Sequence, residues 1–124
     1  MRILLLDDDT DVNATLSSVL TLSGHDVVSV ERVCDARQAW IEGPAFDVAV
    51  LDVNLRDENS ITLMRDMKRE TPALRVVVIT GGGTVEPGVG LALAAAHGVD
   101  AALFKPFTNN EFIAAVTGKR ARDA

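Results

Sequence analysis

Phe46-Asp47-Val48-Ala49-Val50-Leu51-Asp52-Val53-Asn54-Leu55-Arg56-Asp57 is the stretch that decides the fold. Five apolar residues fall between Phe46 and Leu51, interrupted only by Asp47, and a carboxylate then stops the run. A short apolar run closed by polar turn residues reads as a strand buried on both faces, as in a parallel sheet. Reactive groups and ligands in such sheets gather outside the carboxyl ends of the strands. Asp52 therefore stands at the edge of a crevice, and what matters next is which other residues reach that edge.

Outward from this strand the chain alternates. Arg2 to Leu6 is an apolar strand followed by Asp7-Asp8-Asp9, and Val12, Leu16, Val19 and Leu20 recur at helical spacing up to a capping Gly24. Asp26 to Val30 is a short β-branched strand. Asp35, with Gln38 three residues on, resembles a capping pair that opens a helix holding Trp40 and stopping before Gly43-Pro44. The third strand runs from Asp47 to Asp52. Ser60 is expected to cap a helix with a buried stripe of Ile61, Met64 and Met67, and Pro72 closes that unit.

Arg75 to Thr80 reads as the most buried strand. Gly81 to Gly88 is a loop with several conformationally free positions, and Pro87 opens an Ala- and Leu-rich helix ending near His97-Gly98. Ala101 to Phe104 is the last strand, and Thr108-x-x-Glu111 is a capping box for a final helix bearing Phe112, Ile113 and Val116. Right-handed crossovers then set helices on both faces of one parallel sheet. The fold class is α/β: a single doubly wound (βα)5 domain over residues 1–118, with a short basic tail at 119–124.

At 124 residues the chain has room for one domain with a substantial core. The net charge of −6 and a pI near 4.7 argue against nucleic acid as a partner, because phosphate contacts need clustered Lys and Arg. Lys119-Arg120-Ala121-Arg122 is the only cationic cluster and reads as a helix end that complements the macrodipole. No apolar run nears membrane-spanning length, and the lone Cys34 excludes an internal disulfide. The expected location is cytoplasmic, with no membrane partner.

Polar residues close four of the strands: Asp7-Asp8 the first, Asp52 the third, Thr80 the fourth and Lys105 the fifth. In a parallel sheet these ends share one edge. Crowded carboxylates raise one another's pKa, and a hard divalent cation resolves that conflict, since Mg²⁺ (or Mn²⁺) prefers oxygen ligands. A carboxylate nucleophile beside a cation, an ammonium and a hydroxyl suits phosphoryl transfer, where catalysis is mostly positioning and charge stabilisation.

These residues carry a family resemblance. Ile3-Leu4-Leu5-Leu6-Asp7-Asp8, Val50-Leu51-Asp52-Val53-Asn54, Val78-Ile79-Thr80-Gly81 and Phe104-Lys105-Pro106-Phe107 make the chain resemble a receiver domain of the bacterial response-regulator family over nearly its whole length. The resemblance implies a flavodoxin-like sheet of order 2-1-3-4-5 and a place in two-component phosphorelay signalling. It implies that Asp52 is the phospho-acceptor, taking a phosphoryl group from a phosphohistidine of a sensor histidine kinase or a histidine phosphotransfer protein. It further implies that Asp8 binds the metal directly and Asp7 through water, with Asp52 and the Asn54 carbonyl as further ligands. Thr80, Lys105 and the backbone at Asn54 and Gly81 would contact the phosphoryl group, and the Lys105-Pro106 bond would be cis. The chain closes soon after the final helix, so the expectation is a free-standing receiver that acts on a downstream protein target by contact or by passing the group on.

Departures from the family pattern fall around the site. Arg56 and Ser60 stand where receivers commonly have proline and glycine, and Ala102 replaces the aromatic residue that in many receivers rotates inward on activation. Phe104 shares a strand face with Ala102 and is the candidate replacement, so Ala102, Phe104, Gly82 and Gly83 mark the switch surface. The Gly81 to Gly88 loop is longer than usual and is expected to order on activation. Gly82, two after Thr80, has no side chain to orient an attacking water.

Two other readings compete. A haloacid-dehalogenase-like phosphatase would use Asp7 as nucleophile, but that pattern needs Thr or Val where Asp11 stands and an acidic pair after Lys105. A receiver-like adaptor that binds without phosphorylation would not need Asp7, Asp8, Asp52, Thr80 and Lys105 together. An EF-hand over Asp7, Asp9 and Asp11 fails at Val12 and Ser18, where glycine and glutamate are required. Gly81-Gly82-Gly83 lacks the third glycine of a dinucleotide loop, and Gly88 is followed by Val89 where a P-loop needs lysine.

Overall fold

A computed structural model describes residues 1–53, 60–80 and 98–118. Asn54, Arg56, Gly81, Gly82, Gly83, the rest of the Gly81 to Gly88 loop, the helix expected after Pro87 and the basic tail lie outside them. The described elements are β1 (Arg2–Leu6), α1 (Thr10–Leu22), β2 (Asp26–Val30), α2 (Val33–Glu42), β3 (Val48–Asp52), α3 (Ile61–Glu70), β4 (Arg75–Thr80), β5 (Ala101–Phe104) and α4 (Asn109–Thr117). The five strands form one parallel sheet in the order β2-β1-β3-β4-β5. This is the expected 2-1-3-4-5 arrangement, with β3 at its centre.

Alternation along each strand divides the interior in two. Leu4, Leu6, Ala49, Leu51, Val76 and Val78 point to one face, where Ala36 of α2 and Leu63, Met64 and Met67 of α3 cover them. Ile3, Leu5, Val48, Val50, Val77 and Ile79 point to the other, under Leu16 and Leu20 of α1 and Phe112 and Val116 of α4. Strands apolar at every position are what a sheet covered on both faces demands. Phe107 and Phe112 stack at 5.7 Å between ring centroids and brace the entry to α4.

Several local expectations need correction. The third strand begins at Val48; the Asp47 carboxylate instead accepts from the Arg2 N–H at 2.8 Å. Helix α2 begins at Val33, with Asp35 in its first turn and no side-chain cap at Arg32. Starting three residues earlier lets Val33 and Ala36, three apart, pack on the same core. Ser60 occupies the cap position of α3 but makes no cap hydrogen bond. The buried stripe of α3 is Leu63, Met64 and Met67, with Ile61 only partly covered. The Thr108–Glu111 capping box forms as read, and Gly24, at φ 90°, sits just past α1 in the left-handed region.

The amino edge of the sheet is tied by cations. Arg75 donates to the Ala115 carbonyl of α4 at 2.9 and 2.7 Å. Lys68 of α3 reaches the Leu74 carbonyl at 3.0 Å and the Asp100 carboxylate at 3.1 Å, and Asp100 in turn accepts from the Val76 N–H at 2.8 Å. These ties hold α3 and α4 at the edge away from Asp52.

Candidate functional site

The strand register brings the polar strand ends together. Leu6 pairs with Leu51, Asp52 with Ile79 and Thr80 with Phe104, so Asp7, Asp52, Thr80 and Lys105 emerge along one edge. Carboxylate oxygens of Asp7, Asp8 and Asp52 lie within 4.8 Å of one another. Lys105 closes the group: its Nζ is 3.1 Å from Asp52 Oδ2 and 3.3 Å from Asp7 Oδ2. The Lys105 side chain is 27% exposed, whereas Asp7 and Asp52 are buried. Thr80 is buried at the end of β4, where its carbonyl accepts from the Lys105 N–H at 2.9 Å. The Lys105-Pro106 peptide bond is cis.

The electrostatics follow from this crowding. Burial pushes the Asp7 carboxyl up to about 6; the Asp9 N–H opposes the rise, the charge of Asp52 adds to it, and Lys105 also opposes it. Partial burial works against the Lys105 charge, but the facing carboxylates of Asp52 and Asp7 outweigh it and hold the ammonium above the usual lysine range. Lys105 pairs with Asp7 and Asp52, and Asp8 adds a third carboxylate to the cluster. Hard oxygen donors at ligand spacing fit a divalent cation of the Mg²⁺ type held by Asp7, Asp8 and Asp52.

Asn13, which sequence reading passed over, and Ser60, read there as a helix cap and a departure from the family pattern, shape this edge. Asn13, buried in α1, donates from Nδ2 to the Asp7 carbonyl at 3.0 Å and to the Val30 carbonyl at 2.9 Å, pinning the ends of β1 and β2 together. The signal was an amide on the apolar stripe of α1, three residues before Leu16 and seven before Leu20. Ser60, also buried, donates from Oγ to the Asp52 carbonyl at 2.8 Å. Asp9 contributes twice. Its N–H donates to Asp7 Oδ1 at 2.9 Å, and its side chain caps α1 by accepting from the N–H groups of Asp11 and Val12. A groove of about 350 Å³, lined by Asp11, Val12, Leu16, Lys105, Pro106 and Phe107 among others, opens beside the lysine.

A doubly wound domain whose carboxyl edge gathers three carboxylates under one lysine is a flavodoxin-like signalling module of the receiver type. The chain belongs to the response regulator receiver domain family, which it matches over residues 3–117. It is 34% identical over 117 residues to the transcriptional regulatory protein GltR of Pseudomonas aeruginosa, across 92% of this chain and 46% of that protein. It is 28% identical to the CpxR homolog of Haemophilus influenzae, across 99% of this chain and 52% of that one. The chain thus spans about half the length of these two curated relatives. Among solved structures, a response regulator receiver domain protein from Clostridium thermocellum superposes with a TM-score of 0.84 at 23% identity, covering 94% of this chain and 91% of that one, a likeness of fold. The BeF3-activated receiver domain of DrrB, from Thermotoga maritima, gives 0.77 at 25% identity, covering 91% of each. Among the described residues no helix is long and apolar enough to cross a membrane.

Proposed function

We propose that this receiver domain accepts a phosphoryl group on Asp52 from a phosphohistidine of a sensor histidine kinase or histidine phosphotransfer protein, in a reaction that depends on Mg²⁺ or Mn²⁺. The observation that carries this reading is the position of the Asp52 carboxylate, buried at the end of the central strand and 3.1 Å from the Lys105 ammonium. An Asp52 oxygen attacks phosphorus, the P–N bond breaks, and the imidazole leaves with the electron pair. Lys105 passes from its ion pairs with Asp7 and Asp52 to the incoming phosphoryl oxygens, and Thr80 offers its hydroxyl to another. A divalent cation held by Asp7, Asp8 and Asp52, with the Asn54 carbonyl, would neutralise the charge gathering on the transferred group. Backbone at Asn54 and Gly81 completes the contacts in this reading.

The groove beside Lys105 is compatible with the same reading, since it offers a partner a surface next to the lysine. The phosphorylated domain then changes its contacts with a downstream protein target or passes the group on. Mass spectrometry after treatment with acetyl phosphate and Mg²⁺ tests the proposal. Phosphoryl on Asp52, lost in Asp52→Ala, is the expected result; phosphoryl on Asp7 would favour phosphatase-like chemistry, and none at all a phosphorylation-independent adaptor.

A further inference from the structure

The Ser60 hydroxyl belongs to the site although it touches none of its carboxylates. Ser60 lies eight residues after Asp52 and is fully buried, with its Oγ donating to the Asp52 carbonyl at 2.8 Å. Its own carbonyl accepts the first helical bond of α3, from the Met64 N–H at 2.9 Å. One residue therefore bolts the end of β3 to the start of α3. Serine at such a position ordinarily caps its helix, yet here the side chain turns back to the strand and makes no cap bond. The hydroxyl is spent on the one strand end that carries the buried central carboxylate.

We propose that Ser60 is a positioning residue that sets the divalent-cation affinity of the Asp7, Asp8 and Asp52 cluster by fixing the Asp52–Val53 peptide plane. This rests on the reading above that the cluster holds a cation. The Asp52 peptide plane leads directly into the side chain's Cα and into the main chain that follows, so a rotation there displaces the carboxylate. On the other side that plane is held by the ladder, through the Val53 N–H donating to the Ile79 carbonyl at 3.0 Å. With both bonds in place the plane has two fixed points. Without Ser60 the plane loses its tie to the start of α3, and the Asp52 carboxylate is placed less firmly beside Asp7 and Asp8.

Calorimetric Mg²⁺ titration of Ser60→Ala and the parent protein, alongside the Mg²⁺ dependence of phosphorylation by acetyl phosphate, tests this. Removing groups that orient metal ligands typically weakens binding by 10–100-fold, and a hydroxyl acting through one peptide plane is expected at about the lower figure. Half-saturating Mg²⁺ should rise about tenfold in both measurements. A folded Ser60→Ala protein that binds Mg²⁺ as tightly as the parent overturns the proposal. Ser60→Cys, close in volume with only a weak donor, answers the same question should the alanine variant fail to fold. A parent protein that binds no Mg²⁺ overturns both readings. One that binds Mg²⁺ but takes no phosphoryl overturns only the assignment of Asp52 as acceptor, and the titration still decides the role of Ser60.

Discussion

Thr80 and Phe104 stand side by side in the last rung of the β4–β5 ladder, the first closed off from solvent and the second 41% exposed. Alternate residues share a face, so Phe104 lies on the same side of the sheet as Ala102, which packs into the core under α2 and α3. The two strands are joined at this rung by the Lys105 N–H donating to the Thr80 carbonyl. On the proposed function, a movement of Thr80 toward a phosphoryl group would be felt at an aromatic ring that already meets solvent.

Phe104→Ala is expected to leave phosphorylation of Asp52 by acetyl phosphate unchanged. It should also shrink the difference in amide exchange between phosphorylated and unphosphorylated protein along β4 and β5. Equal differences in variant and parent would remove Phe104 from the readout.

Lys105→Met deletes the one cation that faces both Asp7 and Asp52 among the described residues. Removing a single preorganised charge-stabilising donor commonly costs a factor of 10² or more in rate, so phosphorylation should slow by on the order of 100-fold. Mg²⁺ binding should survive and tighten, since the lysine competes with the metal for the same oxygens. Stopped-flow rates and a Mg²⁺ titration separate the two effects.

Asp7 gives the metal-free domain a pH signature. Its folded pKa, about 6, lies above the ordinary 3.8, so the folded state holds the proton more tightly than the unfolded chain. That contribution is complete below the ordinary value and is lost as pH rises through the folded one. In EDTA, urea unfolding should therefore show greater stability from this group at about pH 5 than at about pH 7.5. Asp7→Asn should remove the difference, and Mg²⁺ should restore stability at the higher pH by binding the folded state.

Asn13→Ala removes the buried amide that donates to the Asp7 and Val30 carbonyls, of which Val30 keeps the Asp7 N–H at 3.2 Å. The expected cost is about 1–3 kcal/mol in urea unfolding, the range for leaving buried polar groups unsatisfied. Mg²⁺ affinity should fall as well, because the link from Asp7 to β2 is reduced to the Asp7 N–H bond to the Val30 carbonyl.

What the sequence made legible was whatever depends on period and position. Apolar runs with polar stops placed Asp7, Asp52, Thr80 and Lys105 at strand ends, and parallel pairing brought those ends to one edge. Asn13 and Ser60 were opaque for a physical reason: each spends a short-range polar side chain on a distant carbonyl, a use that local pattern does not distinguish from capping or surface placement. Asp35 misled in the same way. Its capping propensity yielded to the burial of Val33 and Ala36, which required the helix to begin earlier.

The sheet leaves this small domain with two interiors that do not mix. Leu20 and Phe112 lie on one side and Met67 and Leu63 on the other, with a layer of backbone between. Substitutions on opposite sides should therefore add independently in their effect on stability. Each interior can drift in composition without consulting the other. Only at the carboxyl rim, where Asn13 comes from one side and Ser60 from the other, do the two histories have to agree.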